Sequence, residues 1–229
     1  MNDLPSSWSQ LAAGEPDEHR RAAWQFADEL RRIIELLTLV DAPTEELQRA
    51  AETAHTFADR LDELLPKRTR SYDGFSETAV SGSPVAFFDR SPLIGRANPL
   101  AAPIELEIVG DHVEGRARFG AAYEGPPGSV HGGYVAAAFD EVLGMAQTLS
   151  GNPGMTGTLK VVYRSPTPLH TQLRFSAKVD GIERRKIFVS GTCHAGERLT
   201  AEAEGIFISV DLEKFAEMMR EREARRSES

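Results

Sequence analysis

The residue types best suited to chemistry in this chain lie close together. His131, Gly132 and Gly133 are followed, nine positions after the histidine, by Asp140, all within GPPGSVHGGYVAAAFDEVLG from Gly125 to Gly144. The turn-rich start and the nearly uncharged run after it predict a helix that opens on the two glycines and reaches about Ser150. Apolar residues surround that helix on nearly every side, so it is expected to be buried. A carboxylate at its centre is costly unless paired or neutralised, and desolvation is expected to raise the pKa of Asp140. At the other end, the first turn exposes backbone N–H groups without intrahelical partners, and glycines let a ligand approach them closely. Such groups attract an oxygen that is gaining negative charge. The histidine-to-aspartate spacing is about two and a half turns, so the glycine N–H groups and the carboxylate lie roughly a dozen ångströms apart. One helix does not bring both to one atom. A second copy of the chain, with its Asp140 opposite this helix's N-terminus, would.

The elements that must hold this helix read as an α+β unit. Ile104, Leu106 and Ile108 alternate with Glu105 and Glu107, Gly110-Asp111 marks a turn, and Val113 to Phe119 returns. After the helix come four more strand-like runs, about Gly157 to Tyr163, Leu173 to Asp180, Lys186 to Cys193 and Thr200 to Val210, with Gly181 and Ala195-Gly196 as turns. This order argues for an antiparallel sheet with one central helix. Two helices precede it. Pro16-Asp17-Glu18 suits a helix opening, and Phe26, Leu30, Ile33, Ile34 and Leu37 mark one face. A second helix begins near Pro43, carries Leu47, Ala51, Ala54, Phe57, Leu61 and Leu65, and ends at Pro66. The pair reads as a hairpin whose apolar sides should pack on something. The expected organisation is a helical hairpin over 1–66, an irregular connection over 67–102, the sheet domain over 103–210 and a charged helix or tail over 211–229.

Composition excludes several classes. The chain has 229 residues with a formal net charge of -9, which speaks against a nonspecific grip on nucleic acid or an anionic membrane. One cysteine, Cys193, excludes an internal disulfide framework and fits a reducing compartment. The longest apolar runs, such as Ile33 to Val40, are far too short for a membrane span, and the first residues do not read as a secretory signal, so a cytoplasmic location is expected. The six histidines are scattered and Cys193 stands alone, so no metal site is expected.

GPPGSVHGG, Asp140 at its spacing, and Thr156 with Leu159, Tyr163 and Pro166 downstream resemble the hotdog-fold acyl-CoA thioesterases. The similarity is to the PaaI-like branch and to thioesterase superfamily members four and five, and it covers about Ile104 to Val210. The resemblance implies a sheet wrapped around the helix, with two protomers joined edge to edge and active sites in the interface. It implies that Asp140 is the catalytic carboxylate, either attacking the thioester or activating water. The Gly132 N–H takes the oxyanion position. Thr156 matches a hydroxyl that orients water or the acid, contributed from the other side of the interface. The implied substrate is an acyl-CoA and the assembly a homodimer or a dimer of dimers. No separate cofactor is expected, coenzyme A being part of the substrate. Some relatives carry Asn in the loop before the motif; Glu124 to Ser129 contains none, which shifts the subclass. The N-terminal hairpin is not part of the common unit and receives no role from the resemblance.

Other readings stand beside these. Asp140 could pair inside the core with an Arg from a strand, but the His-Gly-Gly context favours catalysis. Glu141, about 100° further round the helix, reads as a solvent or interface residue. His131 reads as fixing the turn and only secondarily as touching substrate, and Gly133 as part of the substrate cradle. Thr158 competes with Thr156. Arg164, Arg174, Arg184, Arg185 and Lys186 are candidates for the phosphates of coenzyme A, with Arg164 foremost. A non-catalytic acyl-CoA sensor is the competing class. Its DNA-binding form is disfavoured because the first 66 residues hold more than twice as many acids as arginines.

Overall fold

The structure, a computed structural model, describes residues 15–64, 89–102, 104–152 and 154–209. The proposed ends of the N-terminal hairpin, most of the connection and the charged C-terminal helix lie outside the described residues.

Among the described residues, six strands form one antiparallel sheet. They are β1 (Glu105–Val109), β2 (His112–Ala117), β3 (Gly154–Tyr163), β4 (Leu173–Glu183), β5 (Lys186–Ala195) and β6 (Arg198–Ser209). Their order is β1-β2-β4-β5-β6-β3, which leaves β1 and β3 at the two edges. Two helices precede the sheet, α1 (Glu18–Leu39) and α2 (Thr44–Glu63). A third, α3 (Gly132–Gln147), lies between β2 and β3 in sequence and packs on β2, β4, β5, β6 and β3. This is the sheet-around-a-helix layout that the hotdog resemblance implies. The core is apolar: Phe139, Val142 and Leu143 of α3 meet Val113, Phe175, Ile187 and Phe207 of the sheet, all fully buried. Phe139 and Phe175 pack edge to face with ring centres 5.3 Å apart, the favoured geometry for aromatic pairs. Cys193 is a core residue, and burial pushes its thiol up to about 11 against the pull of a Thr200 hydrogen bond.

Two local expectations are corrected. Gly181 does not turn the chain. It lies inside β4, where the pairing with β5 shifts between Val179 and Gly181, and the reversal falls at Arg184, whose φ of 56° is left-handed. The hairpin also docks on an unexpected face. Helix α1 begins as predicted, with Asp17 accepting from the Arg20 N–H at 2.7 Å. Among the described residues, Ala27 is its one buried residue and α2 has none. The face that meets the rest of the protein is Arg20, Trp24, Ala27, Arg31 and Glu35, spaced four, three, four and four. At 100° per residue it lies roughly 115° round the helix from the Phe26–Leu37 stripe. Its contacts are polar. Arg20 and the Trp24 indole N–H both bond Asp89, the latter at 3.0 Å. Arg31 donates to the carbonyls of Ala101 (2.8 Å), Gly95 (3.1 Å), Arg96 (2.7 Å) and Asn98 (3.0 Å). The apolar stripe meets α2 instead, where Phe26 and Phe57 pack edge to face at 5.6 Å.

Candidate functional site

The start of α3 is built by its own first residues and by two neighbours. His131 caps the helix, its Nδ1 accepting from the Gly133 N–H at 3.0 Å, while its carbonyl accepts from the Tyr134 N–H at 2.9 Å. The predicted turn-fixing role of His131 is therefore what the geometry shows. It has a consequence for Gly133, whose N–H is already taken. The Gly132 N–H has no acceptor among the described residues, so of the two glycines only Gly132 offers a donor to a ligand. Gly132 is also held from the strand side, because the Tyr163 hydroxyl donates to its carbonyl at 2.8 Å. A Cβ at position 132 would lie 3.3 Å from that hydroxyl, closer than packed carbons usually come. The loop before the helix is tied down in turn. Gly125 N–H bonds Ser129 O (2.9 Å), Val130 N–H bonds Thr167 O (2.8 Å) and His131 N–H bonds Tyr123 O (2.8 Å).

Two turns along α3, Asp140 is partly exposed, and its Oδ1 accepts from the Thr156 hydroxyl at 2.8 Å. Of Thr156 and Thr158, it is Thr156 that bonds Asp140. A β-bulge at Gly157 breaks the register, so that Thr156 opposes Phe207 and Thr158 opposes Ile206. Thr156 therefore faces the helix and Thr158 the opposite side of the sheet. Thr156 and Asp140 belong to one chain, so the two move together to whichever site they serve. The next acid, Glu141, is half-buried as well. Glu141 is pushed up to about 7, first by burial, then by the charge of Asp140, against a hydrogen bond from Ser91 of the connection. It is covered by that connection rather than by solvent.

Arg164 is not brought to this site. It follows Tyr163 in the strand, so it takes the other face, where its Nε pairs with Glu202 at 2.6 Å beside a Lys160–Glu204 pair at 3.0 Å. A carboxylate already neutralises it. Lys160, Arg164, Glu202 and Glu204 line a cavity of about 720 Å³ on the outer face of the sheet, away from α3.

The sequence motif carries Tyr163 without indicating its contact with Gly132, and no pattern in the sequence points to Tyr123. A signal for Glu35 existed: it is the one charged residue in the run from Ile33 to Val40. Taken together, the site offers one unpaired backbone donor at a helix N-terminus and, about 12 Å along the same helix, a carboxylate oriented by a hydroxyl. Those are the parts needed to polarise a carbonyl and to deliver a nucleophile. No helix among the described residues is long and apolar enough to cross a membrane.

Comparison with known proteins points to one family. The family model described as thioesterase superfamily matches residues 127–202, which include the helix cap, Asp140, Thr156 and Arg164. Mouse acyl-coenzyme A thioesterase THEM4 is 37% identical over 93 residues, covering 40% of this chain and 40% of that protein. Human acyl-coenzyme A thioesterase THEM5 is 31% identical over 97 residues, covering 42% and 39%. The chain thus matches about two fifths of the length of these curated relatives. The crystal structure of protein RHA08564, a thioesterase superfamily protein, aligns with a TM-score of 0.70 and 31% identity, over 81% of this chain and 94% of that one.

Proposed function

The chain belongs to the thioesterase superfamily, and from that premise we propose that it hydrolyses a fatty or aromatic acyl-CoA thioester to the free acid and coenzyme A. The observation that carries the reading is the Thr156–Asp140 hydrogen bond, which aims a carboxylate from the middle of the helix toward the β3 edge. The thioester carbonyl oxygen accepts the Gly132 N–H, which stabilises the negative charge that develops there. Asp140 acts as nucleophile or as general base. In the base route it takes a proton from water, the resulting hydroxide adds to the carbonyl carbon, and the C–S bond breaks. The departing thiolate of coenzyme A then receives the proton from Asp140.

Gly132 and Asp140 of one chain are too far apart to act on one carbonyl. The reading therefore includes a homodimer in which each site combines Gly132 of one protomer with Asp140 and Thr156 of the other. β3 supports this: among the described residues it is an edge strand, with Met155 63% and Tyr163 53% exposed. Such an edge is a template for pairing with a second copy.

Release of free thiol from short, medium, long and aromatic acyl-CoAs tests the proposal. Wild type is expected to turn over at least one of them. Asp140→Asn is expected to keep its fold and lose about a hundredfold or more in kcat. Binding of acyl-CoA without thiol release by wild type would overturn the reading in favour of a ligand-binding protein.

A further inference from the structure

Helix α1 reaches the catalytic loop through one side chain. The two carboxylate oxygens of Glu35 accept from the backbone N–H groups of Ala121 (2.7 Å) and Ala122 (3.0 Å), 86 and 87 residues away in sequence. These two residues open the 3-10 turn Ala121–Tyr123, which is closed by Tyr123 N–H to Gly120 O (3.1 Å) and Glu124 N–H to Ala121 O (3.0 Å). The approach is built into the sequence. A Cβ on residue 120 would lie 2.5 and 2.6 Å from the Glu35 oxygens, so only glycine leaves room for the carboxylate there. The turn then passes the constraint on. The Tyr123 carbonyl accepts the His131 N–H at 2.8 Å, and the Tyr123 ring packs edge to face on Tyr134 at 4.8 Å. The carbonyl carbon of His131 is bonded to the nitrogen of Gly132.

We infer that Glu35 is a positioning residue for the oxyanion donor: it fixes the 121–123 turn, the turn fixes His131, and His131 sets the direction of the Gly132 N–H. The inference rests on the thioesterase reading for its catalytic part, but the physical linkage stands on its own contacts. It also gives the N-terminal hairpin a place in the site, as the element that carries the clamp. Burial pushes the Glu35 carboxyl up, but the N–H groups of Ala122 and Ala121 and the charge of His170 outweigh it and hold it below the usual range. At neutral pH both oxygens are therefore available as acceptors.

Glu35→Ala and Glu35→Gln in the full chain test this by two readouts. In steady-state thiol release, Glu35→Ala is expected to lose about tenfold or more in kcat with KM within about threefold, because the donor acts on charge that develops only in the transition state. Glu35→Gln, which keeps one acceptor oxygen, is expected to fall between the two and to carry the test if the alanine variant does not fold. Amide exchange followed residue by residue by NMR is the second readout. The amides of Ala121, Ala122 and His131 are expected to exchange faster, with β4, β5 and β6 unchanged. Unchanged kcat in an active protein overturns the inference, and so does faster exchange at Ala121 and Ala122 with none at His131. If wild type releases no thiol, the thioesterase reading fails by itself, and the His131 exchange alone then judges the linkage.

Discussion

The central helix and the N-terminal hairpin are held by opposite means. Helix α3 is fixed by large apolar side chains with no access to water, Phe139, Val142 and Leu143 among them. Helix α1 is fixed by two guanidiniums, a carboxylate and an indole that bond backbone carbonyls, backbone N–H groups and one aspartate. Its own apolar residues stay largely in the open: Ile33 is 58% and Leu37 64% exposed. A core of the first kind is cohesive and insensitive to detail at its rim. A joint of the second kind depends on a few directional bonds and carries orientation better than strength.

This contrast can be broken at several points. The largest effect is expected at Phe139→Ala, which empties the space against Phe175 and costs about 3–5 kcal/mol of global stability, read as a lower denaturant midpoint. Arg31→Ala takes a donor from four carbonyls, of which those of Gly95 and Asn98 keep the N–H groups of Asn98 and Ala101, and is expected to cost about 1–3 kcal/mol, confined to α1 and residues 89–102. Limited proteolysis would show faster cleavage there while the midpoint of the sheet barely moves. A global collapse instead would mean the hairpin is part of the core. The smallest effect concerns Glu141, which sits at the boundary of the two regions. Its folded pKa of about 7 lies above its unfolded value, so its contribution is fully present at low pH and lost as pH rises through about 7. Glu141→Gln is therefore expected to raise Tm by about 2–5 °C at pH 8 and to change it little at pH 4. Equal shifts at both pH values would place Glu141 in contact with solvent after all.

The same contrast explains what was legible in the sequence. Periodicity reports apolar burial, so α3, the alternating strands and the turn at Gly110-Asp111 were all visible. So were the local caps, as Asp17 and His131 show, because both partners lie within three residues. Directional contacts between distant residues leave no such pattern. The face of α1 that docks is largely polar, and its stripe pointed elsewhere. Nothing near Arg164 announces Glu202, 38 residues away. Gly133 looked like a second donor because its neighbour's imidazole, free to turn either way, happens to accept its N–H. The contact of Glu141 with Ser91 of the connection, far away in the sequence, likewise left no mark in it.

Two bonds anchor α3 to β3: Thr156 to Asp140 and Tyr163 to Gly132. Their strand residues are seven apart. Seven is odd, and in an uninterrupted strand odd separations place side chains on opposite sides. The extra residue at Gly157 changes the parity, so both hydroxyls reach the same helix. The strand behaves like a binary count with one deliberate skip. Any single insertion or deletion between Thr156 and Tyr163 that kept the bulge would flip the count and cost the helix one anchor or the other.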